Sequence, residues 1–202
     1  MIVAVDPGLT GAICFYDWRT GQMDVVPMPT QTKQLAGRKL KTVIDEGEVL
    51  SNLQAFAAMG ATHLFIEAVG GMPGQSAPAA FNFGHGYGAV RMAALACGLP
   101  IEAVPAAVWK AEMRAPRDKD GARSRASELI PTHRHLWSLK KDDGKAEAAL
   151  LALYAERWIT GGVKRRRTEE EKHKIAYAAE GRRMQAEAQR ARRAANRARA
   201  AQ

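Results

Sequence analysis

The chain has 202 residues, 47% of them hydrophobic, enough for the core of one domain of ordinary size with an appendage. No apolar stretch reaches the length of a membrane span, and the first residues lack the charged-then-apolar pattern of a cleavable leader, so a cytoplasmic protein with no membrane partner is expected. The net charge of +9 is uneven: residues 1–160 hold 17 Lys and Arg against 16 Asp and Glu, whereas residues 161–202 hold 13 against 5. A basic segment so concentrated calls for an acidic polymer as partner, nucleic acid first, or else is a solvated tail without one.

Ile2, Val3, Ala4 and Val5 predict an inner strand, because β-branched and small apolar residues fill both faces of a covered sheet. The run stops at Asp6. Gly8, Thr10 and Gly11 form a turn into a second strand over residues 12–16. An acid at a strand's carboxyl end beside a tight turn is either an Asx-type turn former or a phosphate or metal ligand. "QMDVVPMP" predicts a third strand closed by Pro27 and Pro29, and the polar residues 30–42 a loop. Val49, Leu50, Leu53, Phe56 and Ala57 recur at helical spacing before Gly60. Leu64, Phe65 and Ile66 then predict a strand ending on Glu67, able to pair parallel to the first in the βαβ grammar of a layered α/β domain.

Glycine and proline dominate "GGMPGQSAPAAFNFGHGYG", read as an extended loop with His85 at the start of the next helix, "AVRMAALACGL". "PIEAVP" predicts a strand, "VWKAEM" a helix or turn, "RAPRDKDG" a loop, and "ARSRASELIP" a short basic helix. His133 and His135 belong to a loop, since no further ligand completes a metal site. "KKDDGKAEAALLALYAERWI" predicts a strong helix with Ala146, Ala149, Leu150, Leu153 and Trp158 turned inward. "TGG" closes the domain, giving residues 1–162 as one unit and 163–202 as an Arg/Ala-rich tail, helical or disordered. Trp109 and Trp137 are read as packing, Phe81 and Phe83 as core or interface packing, and Cys14 and Cys97 as buried free thiols.

Three acidic placements carry chemistry. Asp6 and Glu67 each end an apolar strand; if those strands are parallel neighbours, both acids emerge at the edge where open α/β sheets hold ligands. Asp143 and Glu147 open the strong helix. Residues four apart are rotated by about 40° and residues five apart by about 140°, so Asp143 and Glu147 face one point and Asp142 is left as N-cap or outer ligand. Four converging carboxylates repel one another unless a hard cation such as Mg²⁺ or Mn²⁺ is shared. Two such ions about 4 Å apart suit phosphodiester hydrolysis. Lys110, Lys119, Arg123 and Arg125, with Lys140 and Lys141 just ahead of Asp143, are candidates for phosphate contact.

"IVAVDPGLTGA", "LFIEAVGGMPGQ" with "FNFGHGYG" behind it, and "KKDDGKAEAALLALY", in this order across residues 1–158, resemble the RuvC family of Holliday-junction resolvases, its bacteriophage and prophage forms above all. The resemblance implies an α/β, ribonuclease H-like fold with a mixed five-stranded sheet flanked by helices. It also implies a homodimer that nicks two opposed strands of a four-way DNA junction with Mg²⁺, in a bacterial host cell. Asp6, Glu67, Asp143 and Glu147 match the four catalytic, metal-holding carboxylates. Bacterial members carry an aromatic junction probe after the second acid; here Gly70 and Gly71 stand nearby, leaving Met72 or Phe81 as the wedge. Glu147 replaces the Asp usual at the last acid, a longer arm.

Other readings remain. A ribonuclease H-like enzyme acting on RNA needs the same acids, and an architectural DNA-binding protein needs only the basic tail. A sugar kinase or chaperone-type ATPase also carries an Asp-x-Gly turn, but 202 residues leave no room for its duplicated domain, and no small-molecule substrate is expected.

Overall fold

A computed structural model describes residues 1–34, 40–70, 74–116 and 118–163, without the Lys119 side chain. The expectations for Met72, for Lys119 as a DNA contact and for the basic tail therefore lie outside the described residues.

Strands β1 (Ile2–Asp6), β2 (Ala12–Asp17) and β3 (Gln22–Pro27) form an antiparallel meander. After helix α1 (Glu46–Ala58), strand β6 (His63–Ala68) returns parallel to β1, and β7 (Ile101–Pro105) pairs parallel to β6. The sheet order is β3-β2-β1-β6-β7, the mixed five-stranded sheet expected. Helix α2 (Ala77–Ala96) connects β6 to β7; α3 (Ala106–Met113), α4 (Lys119–Leu129) and α5 (Asp143–Ile159) follow.

Period-two alternation divides the inner strands between two cores. Ile2, Ala4 and Phe65 pack with the buried face of α5, including Ala146, Ala149 and Leu150. Val3, Val5, Leu64 and Ile66 pack on the opposite face with Val49, Leu53 and Phe56 of α1 and Val90 of α2. Leu64, Phe65 and Ile66 are fully buried, each stabilising the fold by about 1.5–3 kcal/mol before entropy is counted.

The structure corrects several expectations. Residues 30–42 are not simply a loop: β4 (Thr30–Gln34) and β5 (Leu40–Ile44) form a separate antiparallel hairpin. Only Ile44 of β4 and β5 is buried, so the pairing lacks the apolar alternation that announces a strand. Residues 77–88 are the first half of the single helix α2 rather than an extended loop, and His85 lies inside it. Ser76 caps it by accepting the Ala79 N–H at 3.4 Å, and Pro78 sits in its first turn, where no donor is lost. Gly84, Gly86 and Gly88 disfavour helix in isolation, but Gly86 is where α2 meets β5: an added Cβ would stand 2.9 Å from Ile44 Cγ1. "VWKAEM" resolves as helix, and α4 starts at Lys119, inside the stretch read as loop, capped by Asp118. His133 and His135 lie on a 3-10 turn, Pro131–Trp137. A second such turn, Lys140–Asp142, precedes α5. Phe81 is 73% exposed and so is not core, and Cys97 is only half-buried whereas Cys14 is fully buried.

Among the described residues no helix is long and apolar enough to cross a membrane.

Candidate acidic site at the sheet edge

The parity that sorts the core also sorts the acids. Asp6 continues the Ile2–Ala4 side of β1, and Glu67 continues the Phe65 side of β6, so both belong to the face covered by α5. Parallel pairing of Val5 with Ile66 brings the two carboxyl ends side by side.

The turn after β1 is held tightly. Asp6 Oδ1 accepts the Gly8 N–H at 3.2 Å, and the Gly11 N–H returns to the Gly8 carbonyl at 2.9 Å. Asp6 is thus an Asx-type turn former, the first of the two readings. Gly11 is required here because a Cβ would lie 2.9 Å from Asp6 Cγ. The start of α5 leans on the same turn at Gly144, where a Cβ would stand 2.7 Å from Gly11 Cα. That contact, allowed by the missing side chain of Gly144, lays the start of α5 on the turn that follows Asp6.

Three acids come within reach of one another's charge. Burial pushes the Asp6 carboxyl up to about 7; Glu147 and Glu67 push the same way, and the Gly8 N–H and Lys110 oppose them. Burial also raises Glu67, helped by Glu147 and opposed by a hydrogen bond from Trp109 and by Lys110. Asp143, half-buried, opens α5 one turn before Glu147. Asp142 stands at the N-cap position, yet its side chain caps nothing in α5. It accepts the Leu139 N–H at 3.1 Å and pairs with Lys145 at 3.1 Å.

Two residues following β7 complete the cluster. Trp109, buried as expected, also donates its indole N–H to Glu67 Oε2 at 3.0 Å. Lys110 sets its ammonium 2.6 Å from Glu147 Oε1 and 5.1 Å from the centre of the Trp109 ring. Lys110, a candidate for phosphate contact, here pairs with a carboxylate of its own chain. Nothing in the local sequence announces either bond, because the partners lie 42 and 37 residues away.

Among the described residues no three Asp, Glu, His or Cys side chains are already gathered as a ligand set for a metal ion. Beside the turn, a cleft of about 480 Å³ runs between Pro7–Thr10 and the α2 residues Asn82 and Phe83. Lys140 and Lys141 are exposed on the approach to α5.

No family model and no curated protein sequence matches the chain. Among solved structures, it is similar to T. thermophilus RuvC in complex with a Holliday junction substrate: 14% identity, TM-score 0.50, covering 77% of this chain and 94% of that one. Thermus thermophilus RuvC in another structure gives 15% identity and a TM-score of 0.43, over 77% and 95% of the two chains. The first likeness shows the fold: the described residues adopt the ribonuclease H-like fold of RuvC, as the sequence motifs implied.

Proposed function

We propose that this chain is a RuvC-like, structure-selective endodeoxyribonuclease that nicks opposed strands of four-way DNA junctions with the help of divalent cations. What supports this reading is that Asp6 and Glu67 end the parallel strands β1 and β6 on the face covered by α5, with Glu147 of that helix near enough to act on the charge of both. The fold is that of a protein solved with a Holliday junction substrate, which favours branched DNA over RNA as the polymer cut.

Carboxylate oxygens are the donors that Mg²⁺ and Mn²⁺ take, and such an ion would draw together side chains that are not yet gathered as a ligand set. Three carboxylates face one Lys110 ammonium, leaving an excess of negative charge that hard divalent ions relieve. Asp6, Glu67, Glu147 and Asp143 would hold them. Ions held there would supply water activation and charge relief for phosphodiester hydrolysis.

The chain's own groups have separate tasks. Asp6 is fixed by its turn, and Glu67 is oriented by the Trp109 N–H. Lys110 holds the Glu147 carboxylate through its ammonium. Exposed Lys140 and Lys141 beside Asp143 supply charge for the polyanion. A homodimer suits paired nicks on a symmetric junction. Supporting it, Phe81, Met92 and Leu95, 73%, 65% and 59% exposed, line one stripe of α2.

The test is cleavage of labelled four-way junctions against duplex DNA, RNA and hybrids, with and without Mg²⁺. Junction-selective nicking that is lost in Asp6→Asn and Glu67→Gln while junction binding persists is the expected result. Undiminished Mg²⁺-dependent nicking by Asp6→Asn removes the assignment, and preferential cutting of RNA moves the chain to the other nuclease class.

A further inference from the structure

The acidic site leaves unused a second polar cavity, of about 480 Å³, between α4 and the turn Pro131–Trp137. Arg123, Ser124, Arg134, His135 and Ser138 line it, with Asp120 its one acid among the described residues. Its floor is fixed: Trp137, buried, donates its indole N–H to Ser127 Oγ at 3.0 Å, and Ser127 donates to the Arg123 carbonyl at 2.9 Å.

Arg123 is the unusual member. One guanidinium nitrogen donates to Asp120, but among the described residues the buried Nε–H meets no acceptor. Folded proteins rarely leave a buried donor unpaired, because the lost hydration is not returned. The one carboxylate is already engaged, and Lys140 also acts on its charge. The remaining Arg123 donors, the Arg134 fork and two serine hydroxyls then stand around a concave space, a donor set that matches the tetrahedral oxygens of a phosphate.

Position decides which phosphate. Ser138 is five residues ahead of Asp143, so the chain between them spans at most about 18 Å. Exposed Lys140 and Lys141 occupy that interval. We infer that this cavity seats a backbone phosphate of the nucleic acid bound at the acidic site, held by Arg123 and Arg134 with the hydroxyls of Ser124 and Ser138. The inference rests on the nuclease reading above, and extends the bound strand's path from α5 onto α4.

The experiment is equilibrium binding of a fluorescein-labelled four-way junction to the full chain in EDTA, where nothing is cut, across a series of salt concentrations. Arg134→Gln, on the surface and safe for folding, is expected to bind roughly tenfold more weakly. Its slope of log K against log salt should be shallower by about one. Arg123→Lys keeps the charge and loses the fork, so its affinity falls while its slope stays. Affinity within twofold of wild type and unchanged slopes in both variants overturn the seat. A second arm measures melting temperature in inorganic phosphate. Stabilisation of wild type but not of Arg134→Gln, without any change in junction slope, means a free-anion site and also overturns the proposal. Binding is read apart from cleavage, so the two readings fail separately. The predicted slope change in a chain that never nicks leaves the seat standing and removes the nuclease. Nicking with unchanged slopes does the reverse.

Discussion

The ammonium of Lys110 stands 2.6 Å from Oε1 of Glu147, tying α3 to α5 beside the ends of β1 and β6. Both side chains are 20% exposed, so water weakens the bond without abolishing it. Lys110 is also close enough to act on Asp6 and Glu67, which makes it the internal counter-ion of the acidic cluster. Replacing it by Met leaves like charges uncompensated. The expected loss is about 1–2 kcal/mol of stability in EDTA. Millimolar Mg²⁺ should shrink that loss, since ions bound to the native state stabilise it. Urea denaturation of wild type and Lys110→Met under both conditions measures the difference. An equal deficit with and without Mg²⁺ contradicts the counter-ion role.

The Asp6 carboxyl predicts a pH dependence of definite sign. Its folded value of about 7 lies above its ordinary 3.8, so the native state binds this proton more tightly than the unfolded chain does. That contribution is complete below about pH 4 and disappears as pH rises through about 7. Without divalent cations, stability should fall by at least about 1 kcal/mol between pH 5 and pH 8. Asp6→Asn, which cannot ionise, should flatten this part of the profile and exceed wild type in stability at pH 8. Thermal unfolding in EDTA at half-unit pH steps reads both effects; a wild-type stability that rises over the window contradicts the raised carboxyl.

What the sequence disclosed follows from the range of each signal. The placement of Asp6 and Glu67 was legible because strand parity is local: an acid two residues beyond an inward-facing Ala4 or Phe65 must share its face. The four-residue spacing of Asp143 and Glu147 was legible for the same reason. The β4–β5 hairpin was not, since Thr30, Gln31, Thr32, Lys33 and Gln34 show no apolar alternation. The first half of α2 was hidden by glycines whose use appears only when Ile44 arrives from a different element. The bonds of Trp109 and Lys110 were the least legible. Each joins residues dozens of positions apart through side chains that serve equally well in a core or on a surface.

Trp109 gives a prediction that separates orientation from packing. Its indole N–H donates to Glu67 Oε2 while its ring is buried among the residues beneath α5. Trp109→Phe keeps an aromatic ring and deletes the donor. Some stability is lost with the smaller ring, about 1–3 kcal/mol. With Glu67 no longer fixed, single-turnover cleavage of a junction should slow by about tenfold, with junction affinity unchanged. A loss of affinity equal to the loss of rate contradicts an orienting role.

Gly144 provides the sharpest contrast between local propensity and tertiary fit. It lies in the first turn of α5, where alanine ordinarily favours helix by about 1 kcal/mol over glycine. Here the added methyl would stand 2.7 Å from Gly11 Cα and closer still to the Thr10 carbonyl oxygen, both backbone atoms with no rotamer to yield. The helix must lift from the β1–β2 turn, carrying Asp143 and Glu147 away from Asp6. Gly144→Ala is therefore expected to destabilise the fold by about 1–3 kcal/mol, the cost typical of overpacking. It should also abolish junction cleavage under conditions where the variant remains folded. Circular dichroism melting and a cleavage assay well below the variant's melting temperature check both parts. A stabilised or fully active Gly144→Ala would mean that α5 does not rest on the turn, and that the distance from Glu147 to the strand ends is set by something else.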